Sequence, residues 1–202
     1  YAPLEHLREL YDEAWKFPEI VGLSIGTRPD CVDPAKIDLI AGYSGRGEVW
    51  LEYGLQSAHD ATLKAINRGH GYQEFLDAVE MTRDRGIKIC VHTVLGLPGE
   101  TREMILDTHR RLAQLPIDGI KIHLLHVMRD TVMAAQYARG ELALLGRQEY
   151  VDLVCDVLET LPATMVIQRM HADAPRDILV APEWCLDKAA VLEDIKRALA
   201  RR

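Results

Sequence analysis

The stretch Ile87–Leu95 reads IKICVHTVL, an almost continuous apolar run bracketed by Gly86 and Gly96. A strand that does not alternate apolar with polar residues is expected in a parallel sheet covered on both faces. Parallel strands need crossover connections, usually helices, so the rest of the chain has to repeat strand and helix. Strand-like stretches do begin near residues 20, 49, 87, 119 and 164. Helical periodicity covers 4–15, 34–43, 57–67, 72–85, 101–115, 147–161 and 188–200. The punctuation agrees: Asp33 precedes Pro34 as an N-cap, Ser57 and Asp60 are spaced like a capping box, Gly86 closes a helix and Thr101 starts one. Met128–Leu145 breaks the rhythm and reads as an inserted helix or a loop over the site. The fold class is therefore α/β, with right-handed βαβ units in one domain. Five strands cannot close an eight-stranded barrel, so the sheet is open or belongs to a partial barrel.

Composition narrows the function classes. No apolar run reaches the roughly 18 residues of a membrane span. A net charge of −7, without a basic block, disfavours nucleic acid as the main partner. The four cysteines, Cys31, Cys90, Cys155 and Cys185, are too scattered for a zinc site or a disulfide framework, so they read as small core residues in a reducing, cytoplasmic compartment. The chain begins Tyr1-Ala2-Pro3 rather than with methionine, so an upstream segment is expected.

In α/β proteins ligands collect at the C-terminal ends of the strands. Polar residues gather there repeatedly: Gly26-Thr27-Arg28, then Glu52, Gln56 and Ser57, then His92, then His123 and His126. Alternation puts Ser24, Gly26 and Arg28 on one face, and Glu52, Gly54 and Gln56 on another that can converge with it. His123 and His126, three apart on a strand, are expected on opposite faces. Gly96-Leu97-Pro98-Gly99 allows close backbone approach to a ligand but equally suits a tight strand-to-helix turn. Arg68 could be a solvated residue near a helix C-terminus. No G-x-S-x-G elbow or Gly-Lys-Ser/Thr phosphate loop occurs.

Taken together, GLSIGTRPD, LEYGLQSAHDATLKAINRGHG, VHTVLGLPGET and IKIHLLHVMRDT resemble the later half of a radical S-adenosylmethionine (SAM) core. The tail RMHADAPRDILVAPEWCLDK extends the resemblance to the YhcC-like branch, near the MiaB-type methylthiotransferases and the oxygen-independent coproporphyrinogen oxidases. The resemblance implies a partial (β/α) barrel over 1–127 and an α/β extension over 128–202. It implies SAM, a [4Fe–4S] cluster on three cysteines, and a 5′-deoxyadenosyl radical that abstracts a substrate hydrogen, with electrons from a flavodoxin- or ferredoxin-like donor. It places Gly26, Thr27, Arg28, Glu52, Gln56, Ser57, Gly96 and His126 around SAM, and Arg68 on its carboxylate. His92 stands where several relatives carry a ribose-binding aspartate. The cysteine triad is absent, so the resemblance implies a fragment lacking the first strands and the cluster loop, inactive by itself. Two rival readings are a cluster-free barrel lyase using Lys121 beside His123, and a non-catalytic interaction module.

Overall fold

The computed structural model describes residues 2–202. Five strands, β1 (Gly22–Thr27), β2 (Glu48–Gln56), β3 (Lys88–Leu95), β4 (Gly119–Leu124) and β6 (Val166–Arg169), form one parallel sheet in the order β1-β2-β3-β4-β6. They coincide with the five expected strands. β5 (Val127–Met128) and β7 (Leu179–Ala181) form a separate antiparallel pair that the sequence pattern did not reveal. The helices are α1 (Leu4–Ala14), α2 (Pro34–Ala41), α3 (Asp60–Ala65), α4 (Tyr72–Thr82), α5 (Arg102–Leu112), α6 (Val132–Ala138), α7 (Arg147–Thr160) and α8 (Lys188–Leu199). None is long and apolar enough to cross a membrane.

The core lies on one side of the sheet. Leu51, Tyr53 and Leu55 of β2, Ile89 and Val91 of β3, and Ile120 and Ile122 of β4 are all essentially unexposed. They pack with Ile37 of α2, Phe75 of α4, Ile105 of α5, Val154 of α7 and Ile195 of α8. The opposite face is polar, contrary to the apolar look of IKICVHTVL. Lys88, Cys90 and His92 alternate with the apolar residues and turn away from the helices. The run reads as apolar because Cys90 and Val94 share the polar side, which the sequence alone does not separate from a core.

Capping explains most boundaries. The Asp33 carboxylate accepts the Lys36 amide at 2.9 Å, and Thr101 Oγ1 accepts the Met104 amide at 3.2 Å. Ser57 does not cap a helix as expected. A register shift between Gly54 and Gln56, with Gln56 at φ +78°, turns the chain so that Ser57 is buried and donates to Glu100. α3 then starts only at Asp60, whose carboxylate accepts the Tyr72 amide at 2.7 Å at the entry to α4. α4 ends at Thr82, earlier than expected, because Asp84 (φ +61°) and Gly86 (φ +73°) both turn left-handed. Met128–Leu145 contains the helix α6, begun by Thr131.

Gly119 is fixed by its neighbours. A Cβ there would sit 2.9 Å from the Trp50 ring and 3.2 Å from the Val166 carbonyl. Gly119→Ala is expected to lower stability by about 1–3 kcal/mol, read as a lower urea midpoint with unchanged far-UV circular dichroism.

Candidate functional site

The polar face is organised around Glu52, which is 6% exposed at the middle of β2. Its carboxylate accepts hydrogen bonds from Ser24 of β1, from His92 Nε2 of β3 at 2.6 Å, and from the Lys121 ammonium of β4. Burial pushes the carboxyl up, but the three donors together outweigh it and hold its pKa down at about 2. Cys90 lies beside this network, and burial together with the Glu52 charge pushes its thiol up to about 12. Next towards the strand ends, the His92 and His123 rings stack with centroids 5.1 Å apart. Burial lowers both imidazoles. It opposes the pull of Glu52 on His92, and with the nearby charges of His92 and Arg169 it brings His123 to about 4.

At the rim, Arg68 reaches back over β2 and donates from Nε at 3.2 Å and Nη2 at 2.5 Å to the Gly54 carbonyl. A Cβ on residue 54 would lie 2.5 Å from that guanidinium and 2.8 Å from the Gln56 amide nitrogen, so any larger residue would have to displace one or both side chains. Burial and the neighbouring Arg28 lower the Arg68 pKa. Among the described residues no carboxylate pairs with Arg68, whereas Arg28 forks onto Asp30 in a bidentate pair. His70 Nε2 also lies 3.3 Å from the Gly54 carbonyl.

A cavity of about 470 Å³ opens at the strand ends and is lined by Gln56, His92, His123, His126 and Arg169. His123 and His126 therefore share one cavity rather than opposite faces. β4 ends at Leu124 and its alternation stops there, so His126 turns to the same side. The Nε2 atoms of both imidazoles are buried without a hydrogen-bond partner among the described residues.

The expected residues thus divide into groups. Glu52, Gln56, His92, Arg68 and His126 face this interior or its mouth, and Gly26 lies on β1 opposite Glu52 in register. Thr27 alternates to the helix side, where it lines a cleft with Tyr11 and Ile40. Arg28 is committed to Asp30, and Ser57 to Glu100. Gly96 (φ +83°) lies under Leu145, with a Cβ there meeting that side chain at 3.0 Å, so it serves a tight turn against α7's leading segment. Sequence reasoning did not single out Arg169 or Cys90 as parts of the site. Arg169 comes from β6, more than forty residues beyond β4 in sequence and paired with Lys121. It opens the tail RMHADAPRDILVAPEWCLDK that carries part of the resemblance, but nothing within that stretch marked this residue as part of the cavity.

The trio Glu52, Cys90 and His92 has its ligand atoms within 4.8 Å of one another. Lys121 already occupies the carboxylate, so the trio is better described as an internal ion-pair network.

Comparisons with known proteins accord with this architecture. The family model described as the Radical SAM superfamily matches residues 1–112, and the one described as the Radical SAM C-terminal domain matches 117–201. Strands from both stretches lie in one sheet. The chain is 40% identical over its full length to the YtqA protein of Bacillus subtilis, covering 63% of that protein. It is 38% identical over 200 residues to YhcC of Escherichia coli, covering 98% of this chain and 65% of that protein. The chain thus spans less than two thirds of either relative. Elp3 from Methanocaldococcus infernus matches in structure with a TM-score of 0.72 at 24% identity, over 88% of this chain and 42% of that one.

Two outcomes follow from the buried network. Lys121→Met leaves the Glu52 charge without its cation and is expected to cost about 3 kcal/mol. Adding Glu52→Gln should restore most of that loss in urea unfolding, because the orphaned charge is then gone. The pH response follows from His123 and from His109, a buried imidazole of α5 whose Nδ1 lies 2.7 Å from the Ile105 carbonyl. An unfolded chain protonates them near the ordinary 6.5, while the native state keeps both neutral down to about 4. The unfolded state binds more protons in that window, so stability falls as pH drops from about 6.5 to 4, by at most about 1.4 kcal/mol per pH unit for each histidine. Glu52, depressed to about 2, adds a loss below about 4.5. Urea midpoints that stay level across this range would contradict the buried neutral imidazoles.

Proposed function

The chain belongs to the radical SAM superfamily, and from that premise we propose that it forms the SAM-binding and substrate-facing part of an iron–sulfur enzyme. The observation that carries this reading is Arg68, a half-buried guanidinium over Gly54 with no anionic partner among the described residues. A planar donor pair in such a place suits a carboxylate. The unpartnered Nε2 atoms of His123 and His126 offer further polar contacts at the same mouth. These features fit SAM, with Arg68 at its carboxylate and Gln56, His92 and His126 near its polar edges. Bound with a reduced cluster, SAM supplies hydrogen-atom abstraction from the substrate.

The [4Fe–4S] cluster does not fit the described residues. The one group of potential metal ligands found among them contains a single thiol, that of Cys90, which burial and Glu52 keep protonated. In the whole protein the cluster's thiolates would come from outside these residues, with a flavodoxin- or ferredoxin-like donor supplying electrons. The four free cysteines suit a reducing, cytoplasmic setting.

The chain's own residues would do three things. Glu52, Ser24, His92 and Lys121 hold the sheet's polar face in a fixed register. Arg68 orients an anionic end by a forked contact. The stacked, neutral His92 and His123 present polar edges without adding positive charge. A lyase built on Lys121 is disfavoured, because that amine is already engaged by the Glu52 carboxylate.

Titration calorimetry of the anaerobically purified whole protein with SAM tests the reading. Arg68→Ala is expected to weaken SAM by about tenfold to a hundredfold. Absence of SAM binding, together with no 5′-deoxyadenosine under reducing conditions, would reject it.

A further inference from the structure

The radical SAM reading accounts for Arg68 but leaves a second guanidinium at the same mouth unused. Arg169 ends β6 and pairs in register with Lys121. It lines the cavity with Gln56, His92, His123 and His126, close enough for its charge to depress both His92 and His123. No hydrogen bond or ion pair engages it among the described residues, while Lys121 is neutralised by Glu52 and Arg28 by Asp30. Asp173, the acidic residue of the same cavity, is taken by Lys188 at 2.6 Å. The rim of the cavity therefore carries a solvent-exposed guanidinium with no ion pair among the described residues, next to the buried Nε2 atoms of His123 and His126, which have no hydrogen-bond partner among those residues.

A second, largely apolar cavity of about 360 Å³ adjoins the first, and His126 lines both. Its wall comes from Ile66 after α3, from Met128, and from Val132 and Met133 of α6. Val132 is 78% exposed, while Met133 beside it is half-buried. Polar floor and apolar lip together make a mouth of the size and composition of small-ligand sites.

We infer that this mouth binds a small amphipathic organic acid, its carboxylate or phosphate on Arg169 and its apolar body along Ile66, Met128, Val132 and Met133. As the substrate class of the enzyme, this rests on the radical SAM reading. As a binding site, it stands on the two cavities alone. Arg169 would be a specificity-determining residue: a fork of two charge-assisted hydrogen bonds rejects neutral analogues of the same shape.

The probe is 1-anilinonaphthalene-8-sulfonate, with its neutral parent N-phenyl-1-naphthylamine as the matched compound lacking the anion. Both are titrated by fluorescence against the whole protein. Arg169→Gln is expected to weaken the sulfonate by at least about tenfold and the neutral parent by less than about twofold. Met133→Gln is expected to weaken both. Decanoate or decyl phosphate should displace the sulfonate and decanol should not, the stronger of the two acids naming the oxyanion. Circular dichroism melts check that each variant is folded. Sulfonate binding indifferent to Arg169→Gln, or displacement by decanol as good as by the acids, would overturn the inference. SAM calorimetry on the same samples separates the two ideas. SAM binding with failed probe results removes only the acid site, and the expected probe results without SAM binding remove only the radical SAM reading.

Discussion

The Glu52 carboxylate lies almost fully buried in the middle of the sheet, and its three hydrogen-bond donors stand on three other strands. Ser24 reaches from β1, His92 from β3 and Lys121 from β4. Burying a charge is costly unless it is fully paired, so a slip of β2 or β4 would part Glu52 from Lys121, and a slip of β1 or β3 would remove one of its remaining donors. A one-residue shift would also exchange the two faces of the strand. The network thus ties the register of four strands to one another, and with it the direction of every side chain further along the same face.

That direction is what makes the strand ends into a site. Gly54, His92 and His123 continue the polar stripe beyond Glu52, and the backbone turn at Gln56 opens room for Arg68 to fold back over Gly54. Charges at the mouth are then distributed unevenly. Arg28 and Lys121 are each matched by a carboxylate, whereas Arg68 and Arg169 have none among the described residues. Four imidazoles nearby, those of His92, His123, His126 and His171, are all biased towards neutrality by burial. Positive charge at the mouth therefore sits on two guanidiniums whose charge does not vary with pH, separated by groups that hydrogen-bond without repelling them.

Much of the fold was legible because each strand and helix carries its own periodicity. The five sheet strands, the caps at Asp33 and Thr101 and the α6 insertion all rest on local patterns. Glu52, Gln56, His92 and His126 could be picked out because polar residues at strand ends are conspicuous against apolar runs, whereas Arg68, which follows a helix, was singled out only by the family resemblance. Ser57 and Gly96 look the same by that criterion yet serve the turn and the packing. Whether a strand-end polar side chain meets a cavity or a neighbouring loop depends on the partner, Glu100 for Ser57 and Leu145 for Gly96, and that partner lies tens of residues away.

By itself the amino-acid sequence determined an alternating α/β chain, the number of parallel strands and the family to which the chain belongs, since these depend on local propensity and on motifs in order. Only the tertiary structure decided that IKICVHTVL is polar on one face, that Lys121 spends its charge on Glu52, and that His123 and His126 meet in one cavity. It also decided that Arg169 of β6 lines the same cavity, without an ion pair among the described residues. The physical reason is that charge compensation and desolvation are properties of neighbours in space, and these neighbours are brought together by strand register rather than by proximity along the chain.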